Sequence, residues 1–416
     1  MIKKDDKYHS HSLSALAWQR FKKDKLAMFG LIVISLFMVI AILGYVITPD
    51  FTPDANDQLL ELSKKPPGFK IQMLQIRKNE ESHHVNIFYK MMFGEVSDYR
   101  SVPFTSYRFK GNDIVVQEYS CDNNRGGIEL KFNVADVVYA TNFNTTIENN
   151  VDKGYAEFYE LGSNQKTKKT VQELRSEIEK NNIVTKKFIL GTDPAGRDLL
   201  SRLIIGTRVS FSVGFVAVII SLLIGVLLGA LAGYYRGRVD DIIIWFINVV
   251  WSVPTLLLVI AITLALGKGF WQVFIAVGLT MWVEVARVIR GQIMSLREKE
   301  FIEAGRALGF TNFRIIMRHI LPNVMGSVIV ISASNFAAAI LIEAGLSFLG
   351  IGAQPPMASW GAMINAHRGY IIGDAPYLAL LPGFAIMLIV LAFVLLGNGL
   401  RDSLDTKVMD EERIVY

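Results

Sequence analysis

Six long apolar runs separate the polar stretches of this chain of 416 residues. The first, residues 27–48, contains 22 residues and no charged side chain. As an α-helix it would be about 33 Å long, which is enough to cross the hydrocarbon core of a membrane. The pattern predicts an all-α polytopic membrane protein with six transmembrane helices, the other five at residues 210–234, 242–266, 270–289, 324–349 and 377–396.

Two features inside these runs predict how the helices pack and bend. Small residues recur every four positions in the second run, at Ser221, Gly225, Gly229 and Gly233, and this spacing lets two helix backbones approach closely. Pro254 lies in the middle of the third run. It predicts a bend there, which is either a static kink or a hinge for gating.

Charged residues inside apolar runs are costly, so they indicate either function or internal pairing. Glu284 and Arg287 fall near the end of the fourth run, where pairing or snorkelling costs little. Glu343 lies deeper in the fifth run and is the more costly charge. It is therefore a candidate functional residue.

The first two runs are separated by residues 49–190, which we call the inserted segment. The pieces SYRF, DIVVQEY, IELKFNV and YAEFYEL have the composition of β-strands, and QKTKKTVQELRSEIEKNN predicts one exposed helix. We therefore expect a soluble α+β domain. Between residues 50 and 190, 19 Lys and Arg nearly balance 20 Asp and Glu, which argues against nucleic-acid binding. No arrangement of nucleophile, base and acid in this segment predicts an enzyme.

Residues 1–26 are strongly basic and precede the first apolar run. We predict an interfacial helix here, because Leu13, Leu16, Ala17 and Phe21 share one helical face and aromatic side chains such as Trp18 prefer the headgroup region. The alternative is a disordered basic tail.

Residues 191–207 predict a short amphipathic helix on the outer membrane surface, leading into the second span. Asp193 is placed to cap this helix and Pro194 to occupy its first position. Asp198 and Arg202 have the i, i+4 spacing of an ion pair. The apolar face would consist of Leu199, Leu200, Leu203 and Ile204. A structural role is favoured over contact with substrate or partner.

The stretch FIEAGRALGFTNFRIIMRHILP, residues 301–322, is named the basic segment. It predicts one helix that ends at Gly309 in the left-handed conformation and a second helix that is capped by Thr311 and closed by Pro322. The second helix would turn Ile315, Ile316 and Ile320 inward. A small apolar ridge rimmed by Arg306, Arg314 and Arg318 would suit a docking surface, and the alternative is an ordinary basic loop.

The distribution of Lys and Arg predicts the orientation of the chain. There are seven before the first run, two in residues 235–241, seven in residues 287–322 and three after Leu400. The short loops 267–269 and 351–376 contain only Lys268 and Arg368. By the positive-inside rule, both termini and the basic segment are cytosolic and the inserted segment is extracytosolic.

Composition narrows the class of protein further. The chain is 51% hydrophobic and only 19% charged, which is typical of a membrane protein with a polar part. Its single Cys121 excludes an internal disulfide, and the six histidines, among them the adjacent His83 and His84, have no metal-ligand spacing. We expect no metal, no cofactor and no catalytic residue.

The basic segment resembles the EAA loop of ABC importer permeases, which couples the membrane subunit to its ATPase. The resemblance rests on Glu303, Ala304, Gly305, Gly309, Leu321 and Pro322 and on their spacing. It implies that these residues form a cytosolic coupling loop, residues 290–323, that binds ATP-binding cassette subunits. Gly305 departs from the family, which usually has a second alanine there, and this costs about 1 kcal/mol of helix propensity.

Three further motifs resemble the oligopeptide and dipeptide permeases. SLSALAWQRFKKDKLAMFGL is similar to their N-terminal segment. Residues 191–202, named the signature segment, match GTDxxGRDxxSR through Gly191, Thr192, Asp193, Gly196, Arg197, Asp198, Ser201 and Arg202. LSFLGIGAQPPMASWG, residues 346–361, is named the Gln-Pro-Pro loop and resembles the family's external loop. The resemblance implies that Gln354, Pro355, Pro356 and Trp360 line the pathway mouth or meet the solute receptor. For Glu343, a candidate for the same pathway, the resemblance offers the alternative that it braces this loop.

The resemblance implies a C-type permease subunit with the type I ABC importer fold in the inner or plasma membrane. Its expected partners are a second homologous permease, ATPase subunits, an extracytosolic solute-binding protein and the lipid bilayer. No GxxxxGK[ST] pattern occurs, so ATP hydrolysis falls to another chain. The expected domains are 1–26 tail, 27–48 first helix, 49–190 inserted segment, 191–207 lead-in helix, 208–398 five-helix core and 399–416 cytosolic tail.

Two other classes of protein remain as alternatives. A membrane-anchored extracytosolic sensor or enzyme would explain the inserted segment but has no need of five spans after it. A secondary transporter would explain the spans, yet it would usually show inverted repeats and has no use for an ATPase-docking loop.

Overall fold

The computed structural model describes residues 13–82, 85–120, 127–142, 148–150, 154–163, 166–267 and 269–404. Several residues used above lie outside this part of the chain, namely the first 12 residues of the basic N-terminal stretch, His83, His84, Cys121, Lys268 and the tail beyond Leu404. The chain divides into two compact units, which are described separately. The first comprises residues 1–41, 207–368 and 379–416, and the second comprises residues 42–206 and 369–378.

The helices, in chain order, are α1 (Leu13–Lys23), α2 (Lys25–Ile47), α3 (Ile87–Phe93), α4 (Val134–Val138), α5 (Val171–Glu177), α6 (Leu199–Tyr235), α7 (Gly237–Trp251), α8 (Thr255–Leu266), α9 (Phe270–Leu296), α10 (Glu300–Ala307), α11 (Asn312–Arg314), α12 (Leu321–Phe348), α13 (Trp360–His367) and α14 (Tyr377–Leu404). Short 3₁₀ turns occupy Pro53–Ala55, Leu60–Leu62 and Arg368–Tyr370, and π-helical turns occupy Ile178–Asn182 and Ile315–Ile320. The strands are β1 (Phe69–Arg77), β2 (Tyr99–Lys110), β3 (Asp113–Glu118), β4 (Glu129–Asn133), β5 (Glu148–Asn150), β6 (Tyr155–Tyr159), β7 (Lys166–Thr170) and β8 (Ile183–Phe188).

Five helices of the described chain are long and apolar enough to cross a membrane, and the pair α7 and α8 makes a sixth candidate if it counts as one span. Every predicted apolar run coincides with one of them. The pair meets at an angle of 89°, so the bend predicted at Pro254 is confirmed. The break arises because proline cannot donate the helical hydrogen bond, and Pro254 precedes α8 with an extended ψ of 127°.

The amphipathic helix predicted for residues 191–207 is wrong at its start. The helix begins at Leu199 and continues without a break to Tyr235, so there is no separate lead-in helix. Asp193 and Pro194 lie in the turn before it. The Asp193 carboxylate accepts hydrogen bonds from the backbone amides of Ala195 (2.9 Å) and Arg197 (3.0 Å). An aspartate that bonds its own following backbone favours a turn over a helix.

The small-residue ladder of α6 lies at a close helix contact, as predicted, and the partner helix is α9. A Cβ atom added at Gly225 would lie 2.5 Å from Val285 Cβ, and one at Gly229 would lie 2.6 Å from the Ala286 carbonyl oxygen. At these positions the hydrogen atom of glycine fits, whereas a Cβ atom would clash. The two backbones therefore approach closely because α6 carries glycine at these positions.

The second unit contains a five-stranded sheet in the order β4-β3-β2-β1-β8 and a three-stranded sheet in the order β5-β6-β7, with all the paired strands antiparallel. The strand-like pieces of the sequence fall on β2, β3, β4 and β6, as predicted. Leu74 pairs with Val102 in the middle of the large sheet. These two side chains join a buried core that also takes residues from α4 and α5.

The single exposed helix predicted for the run QKTKKTVQELRSEIEKNN is wrong for its first part. Residues Lys166–Thr170 form β7, and α5 starts only after Thr170. Thr170 accepts a hydrogen bond from the Glu173 amide at 3.2 Å, and Glu173 accepts one from the Thr170 amide at 3.1 Å. This capping box fixes the start of the helix at Val171.

Candidate functional site

The basic segment forms the predicted helix, glycine turn and second helix start. The first helix, α10, ends before Gly309, whose φ of 75° is left-handed, as predicted. The Phe310 amide donates to the Gly305 carbonyl at 3.0 Å, which closes the turn. The Thr311 hydroxyl accepts from the Arg314 amide at 3.3 Å and caps α11, again as predicted.

The second helix does not stop at Pro322, so this part of the prediction is wrong. It runs from α11 through the π-helical turn Ile315–Ile320 into α12, and Pro322 lies in the first turn of α12. A proline inside a helix lacks one amide donor and clashes with the carbonyl four residues earlier. The wider π-turn just before Pro322 relieves this conflict and lets the helix continue.

The inner face of the basic segment holds it on the helix bundle. Ile302, Ile315 and Ile320 are buried in one cluster with Tyr234 of α6 and Ile293 of α9. The Tyr234 hydroxyl also donates to Asn312 Oδ1 at 2.8 Å. Because these contacts come from the ends of two long helices, the segment has a defined position relative to them.

The outer face of the basic segment is apolar in the middle and charged around it. Four large apolar side chains are exposed, namely Phe301, Leu308, Phe313 and Met317. Glu303 and Ala304 are exposed beside them, as are Arg306, Arg314 and Arg318, whereas Leu321 is half-buried. Gly305 is buried, and an added Cβ would lie 3.4 Å from Phe310, an ordinary contact. Alanine, the usual residue of the family at this position, would therefore also fit in place of Gly305 without a clash.

Two ion pairs connect α9 and the turn that follows it to α7 and to the turn between α6 and α7, and the sequence predicted neither of them. Arg290 binds Asp240 of α7 through two nitrogens, at 2.5 Å and 2.6 Å. Arg236, in the turn between α6 and α7, lies 2.6 Å from Glu298. The hydrogen bond from Arg236 lowers the pKa of Glu298. The fork geometry of the first pair gives it a fixed orientation.

The signature segment clamps the chain that follows α2. Thr192 Oγ1 accepts from the Lys65 amide at 2.8 Å and donates to the Leu62 carbonyl. A Cβ at Gly196 would lie 1.7 Å from the Leu59 carbonyl oxygen, and one at Gly191 would lie 2.3 Å from the Lys65 carbonyl oxygen. Both glycines also have positive φ. Only glycine fits at either position, so the backbone packing explains why the motif has Gly at both of them.

The polar side chains of the signature segment bond to one another and to the chain that follows α2. Arg197 Nε lies 2.7 Å from the buried Asp193 carboxylate. Asp198 accepts from both the amide and the hydroxyl of Ser201, and Ser201 Oγ in turn accepts from the Asp50 amide at 3.0 Å. Burial raises the pKa of Asp198, and the bonds from Ser201 offset part of that rise. Arg202 donates to the Asp54 carbonyl at 3.3 Å. These contacts support the structural role.

Glu343 reaches into the Gln-Pro-Pro loop. Its side chain is 1% exposed and accepts from the Ser347 hydroxyl at 2.7 Å. Ser347 Oγ accepts from the Ala353 amide at 3.1 Å, so the carboxylate and the loop backbone share one hydroxyl. Of the two alternatives for Glu343, this geometry favours bracing.

The five candidates around the Gln-Pro-Pro loop fall into two groups. Gln354, Pro355 and Pro356 are exposed, whereas Glu343 and Trp360 are buried within the chain. Trp360 contacts the Phe37 ring of α2 edge to face, with the ring centroids 6.0 Å apart. The exposed group lies on the surface of the chain, and the buried group lies within it.

Glu284, which the sequence predicted near the end of a span, is a further candidate residue. It lies in the middle of α9 and not near its end, because the helix extends to Leu296. A cavity of about 210 Å³ opens at the break between α7 and α8, and Glu284 lines it together with Trp251 and Thr255. Arg287, one turn further, stacks on Trp251 at 3.6 Å. Within the described chain no cationic nitrogen lies within 4.0 Å of the exposed Glu284 carboxylate.

Two family models match the sequence. Residues 225–410 match the binding-protein-dependent transport system inner membrane component, and residues 12–67 match the N-terminal TM domain of oligopeptide transport permease C. The second match ends in the chain clamped by the signature segment. The inserted strands lie between the two matched regions.

Curated relatives of this chain are also named as transport system permease proteins. The glutathione transport system permease protein GsiD of Pectobacterium atrosepticum is 43% identical over 219 residues, covering 53% of this chain and 72% of that protein. The dipeptide transport system permease protein DppC of Alkalihalophilus pseudofirmus is 44% identical over 218 residues, covering 52% and 71%.

Among solved structures, the inward-facing MetNI methionine ABC transporter has 17% identity and a TM-score of 0.43, covering 50% of this chain and 98% of that one. An amino acid ABC transporter has 17% identity and a TM-score of 0.39, covering 49% and 94%.

Proposed function

Because this chain belongs to the family of binding-protein-dependent transport system inner membrane components and is a permease subunit of an ABC importer, we propose that it forms one half of a pathway for peptides or peptide-like solutes. The other half is a second homologous permease. The chain is not an enzyme, since ATP hydrolysis in this family belongs to separate subunits. Glutathione and dipeptide, in the names of two relatives, are the basis for the solute class.

The outer face of the basic segment is the proposed docking site for an ATP-binding cassette subunit. The observation that carries this proposal is its exposed ridge of Phe301, Leu308, Phe313 and Met317 on a rigidly mounted helical turn. Apolar side chains at the centre with charges around them are typical of protein interfaces. Glu303 and Ala304 would meet the ATPase, and Gly309 would set the angle between the two helices.

We infer that both termini and the basic segment are cytosolic, and that the inserted segment is an extracytosolic α+β domain of a multi-pass inner membrane protein. The charge asymmetry of the short loops supports this orientation. The near balance of charge within the inserted segment suits a docking or lid domain for the solute-binding protein. The exposed residues Gln354, Pro355 and Pro356 would contact the receptor or the entering solute on the same side.

We further propose that Glu284 recognises the positively charged amino end of the solute. A carboxylate in a span is costly unless it is paired, and no cationic nitrogen of the described chain lies within 4.0 Å of the Glu284 carboxylate, so a cationic ligand would offset that cost. The cavity beside it, at the broken helix pair, has an aromatic wall at Trp251. Such a site takes a free α-amino group, which peptides carry.

Co-purification tests the assignment to an ABC importer. The detergent-solubilised chain should retain an ATPase subunit, and exchange of the ridge residue Phe313→Glu should release it while the chain still inserts in the membrane. An ATPase bound equally well by the variant would contradict the docking proposal.

Orientation has a separate test in cysteine labelling. After Cys121→Ser, a cysteine at exposed Lys110 in the inserted segment should react with an impermeant maleimide in intact cells, and one at exposed Thr311 should not. Labelling of the Thr311 site from outside would overturn the orientation.

A further inference from the structure

The short helix α3 in the second unit has an unusual surface for a soluble domain. Its sequence is IFYKMMF, and none of its residues is buried. Five large side chains are 53–72% exposed, namely Ile87, Phe88, Tyr89, Met92 and Phe93, and Val96 continues the patch at 61%. Contiguous exposed apolar patches of this kind mark contacts with a protein or with lipid.

The position of α3 relative to α2 identifies the contact. The turn that ends α3 at Gly94 packs against the chain that leaves α2: an added Cβ would lie 2.8 Å from the Phe51 carbonyl oxygen and 3.0 Å from the Tyr45 ring. The Glu95 amide donates to the Phe51 carbonyl at 3.0 Å, and Lys90 Nζ lies 4.2 Å from the Phe51 ring centroid.

These contacts fix α3 at the level where the first transmembrane helix ends. Tyr45 lies two residues before the end of α2 at Ile47 and accepts a hydrogen bond from the Asp54 amide at 3.1 Å. The last turns of α2 expose Ile42, Val46 and Ile47, as a lipid-facing surface does. The patch on α3 therefore begins beside the boundary between hydrocarbon and headgroups.

We propose that α3 is a membrane-surface anchor, which inserts its apolar side chains into the interfacial layer of the leaflet where α2 ends. Phenylalanine, tyrosine and methionine suit this layer, where one part of a side chain is in contact with acyl chains and another with headgroups. Lys90, the only charged residue of α3, is paired with Glu95 at 2.6 Å. The anchor holds the inserted segment close to the bilayer, and it does not depend on the solute or the ATPase.

Lipid is favoured over a protein partner because α3 ends beside the last turn of α2, a helix long and apolar enough to cross a membrane. Apolar burial against a partner would require that partner to lie at the membrane surface as well. The occupant can be identified by what reaches the patch: oxygen concentrates in lipid, a neutral nickel chelate stays in water, and a protein contact excludes both.

The test uses nitroxide labels on single cysteines in the full-length chain, after Cys121→Ser, within the assembled importer in phosphatidylcholine and phosphatidylglycerol vesicles. One label replaces Phe88, a second replaces Phe93, and a control replaces Lys110, an exposed polar residue on β2 of the same unit. The ratio of oxygen to nickel-chelate accessibility is measured by power saturation. The ratio at Phe88 and Phe93 is expected to exceed that at Lys110 several-fold.

Two outcomes overturn the proposal. If the nickel chelate reaches Phe88 and Phe93 as readily as Lys110, α3 lies in water. If both oxygen and the chelate are excluded from these labels, the patch is covered by a protein partner and not by lipid.

Discussion

The replacement Gly309→Val tests the geometry of the basic segment most sharply. Gly309 has a φ of 75°, and an added Cβ would meet no atom within 4 Å. Steric clash with neighbours therefore plays no part in the expected effect. What remains is the intrinsic cost of the left-handed conformation for a β-branched residue, about 1–2 kcal/mol.

This energy sets the size of the functional effect. A loop that must hold the left-handed turn to dock loses about 1–2 kcal/mol of affinity, which is roughly a five- to thirty-fold weaker ATPase complex. Two matched controls separate this cause from others. Gly309→Asn keeps a residue that tolerates positive φ and should be close to wild type. Gly305→Ala adds a methyl group within α10 and should gain up to about 1 kcal/mol of helix propensity.

The assay is uptake and solute-stimulated ATP hydrolysis in proteoliposomes that contain the reassembled importer, with subunit stoichiometry checked by mass. Gly309→Val should lower both rates together, while receptor docking and membrane insertion persist. Transport by Gly309→Val at the wild-type rate, with the ATPase bound, would refute the role of the turn.

Three more predictions address the other proposals. Glu303→Lys should weaken ATPase co-purification and Glu303→Gln should do so less, since only the first reverses the charge; equal binding by all three proteins would rule out a contact at this residue. Glu284→Gln should raise the KM for peptides with a free amino group and leave N-acetylated peptides unaffected, and an identical change for both substrates would contradict ammonium recognition. Replacing residues 69–188 by one glycine between Gly68 and Ile189 should leave a chain that inserts and binds its ATPase, because the two ends of the excised segment are already close: the Gly68 amide donates to the Phe188 carbonyl at 2.9 Å. If this variant fails to insert, the segment is part of the core fold.

Local patterns in the sequence were sufficient to predict the transmembrane spans and the glycine turn of the basic segment. Apolar run length locates the transmembrane helices, and glycine between two helical patterns predicts the left-handed position at Gly309. Pro322 was misjudged because a proline can enter a helix after a widened turn, and that turn has no sequence pattern of its own. Asp193 was misjudged because the same side chain can cap a helix or stabilise a turn.

Contacts between residues far apart in the chain could not be predicted from the sequence. Thr192 bonds residues about 130 positions earlier in the chain, so the pattern GTDxxGRD indicates neither the clamp nor its partner. Glu284 was placed near a helix end because the predicted run stopped at residue 289, where charges become frequent. The helix continues to Leu296 through those charges, since Arg290 pairs with Asp240 on a neighbouring helix.

Site-specific photo-crosslinking tests the central claim, that the basic segment binds the ATPase, most directly. A photoreactive residue replaces Phe313, whose side chain is 74% exposed, and the control replaces Ile372, which is 99% exposed after α13. In an importer that is hydrolysing ATP in vesicles, the Phe313 site should crosslink to the ATPase subunit and the Ile372 site should not. An active importer with no ATPase crosslink from Phe313, or with one from Ile372, would contradict the account.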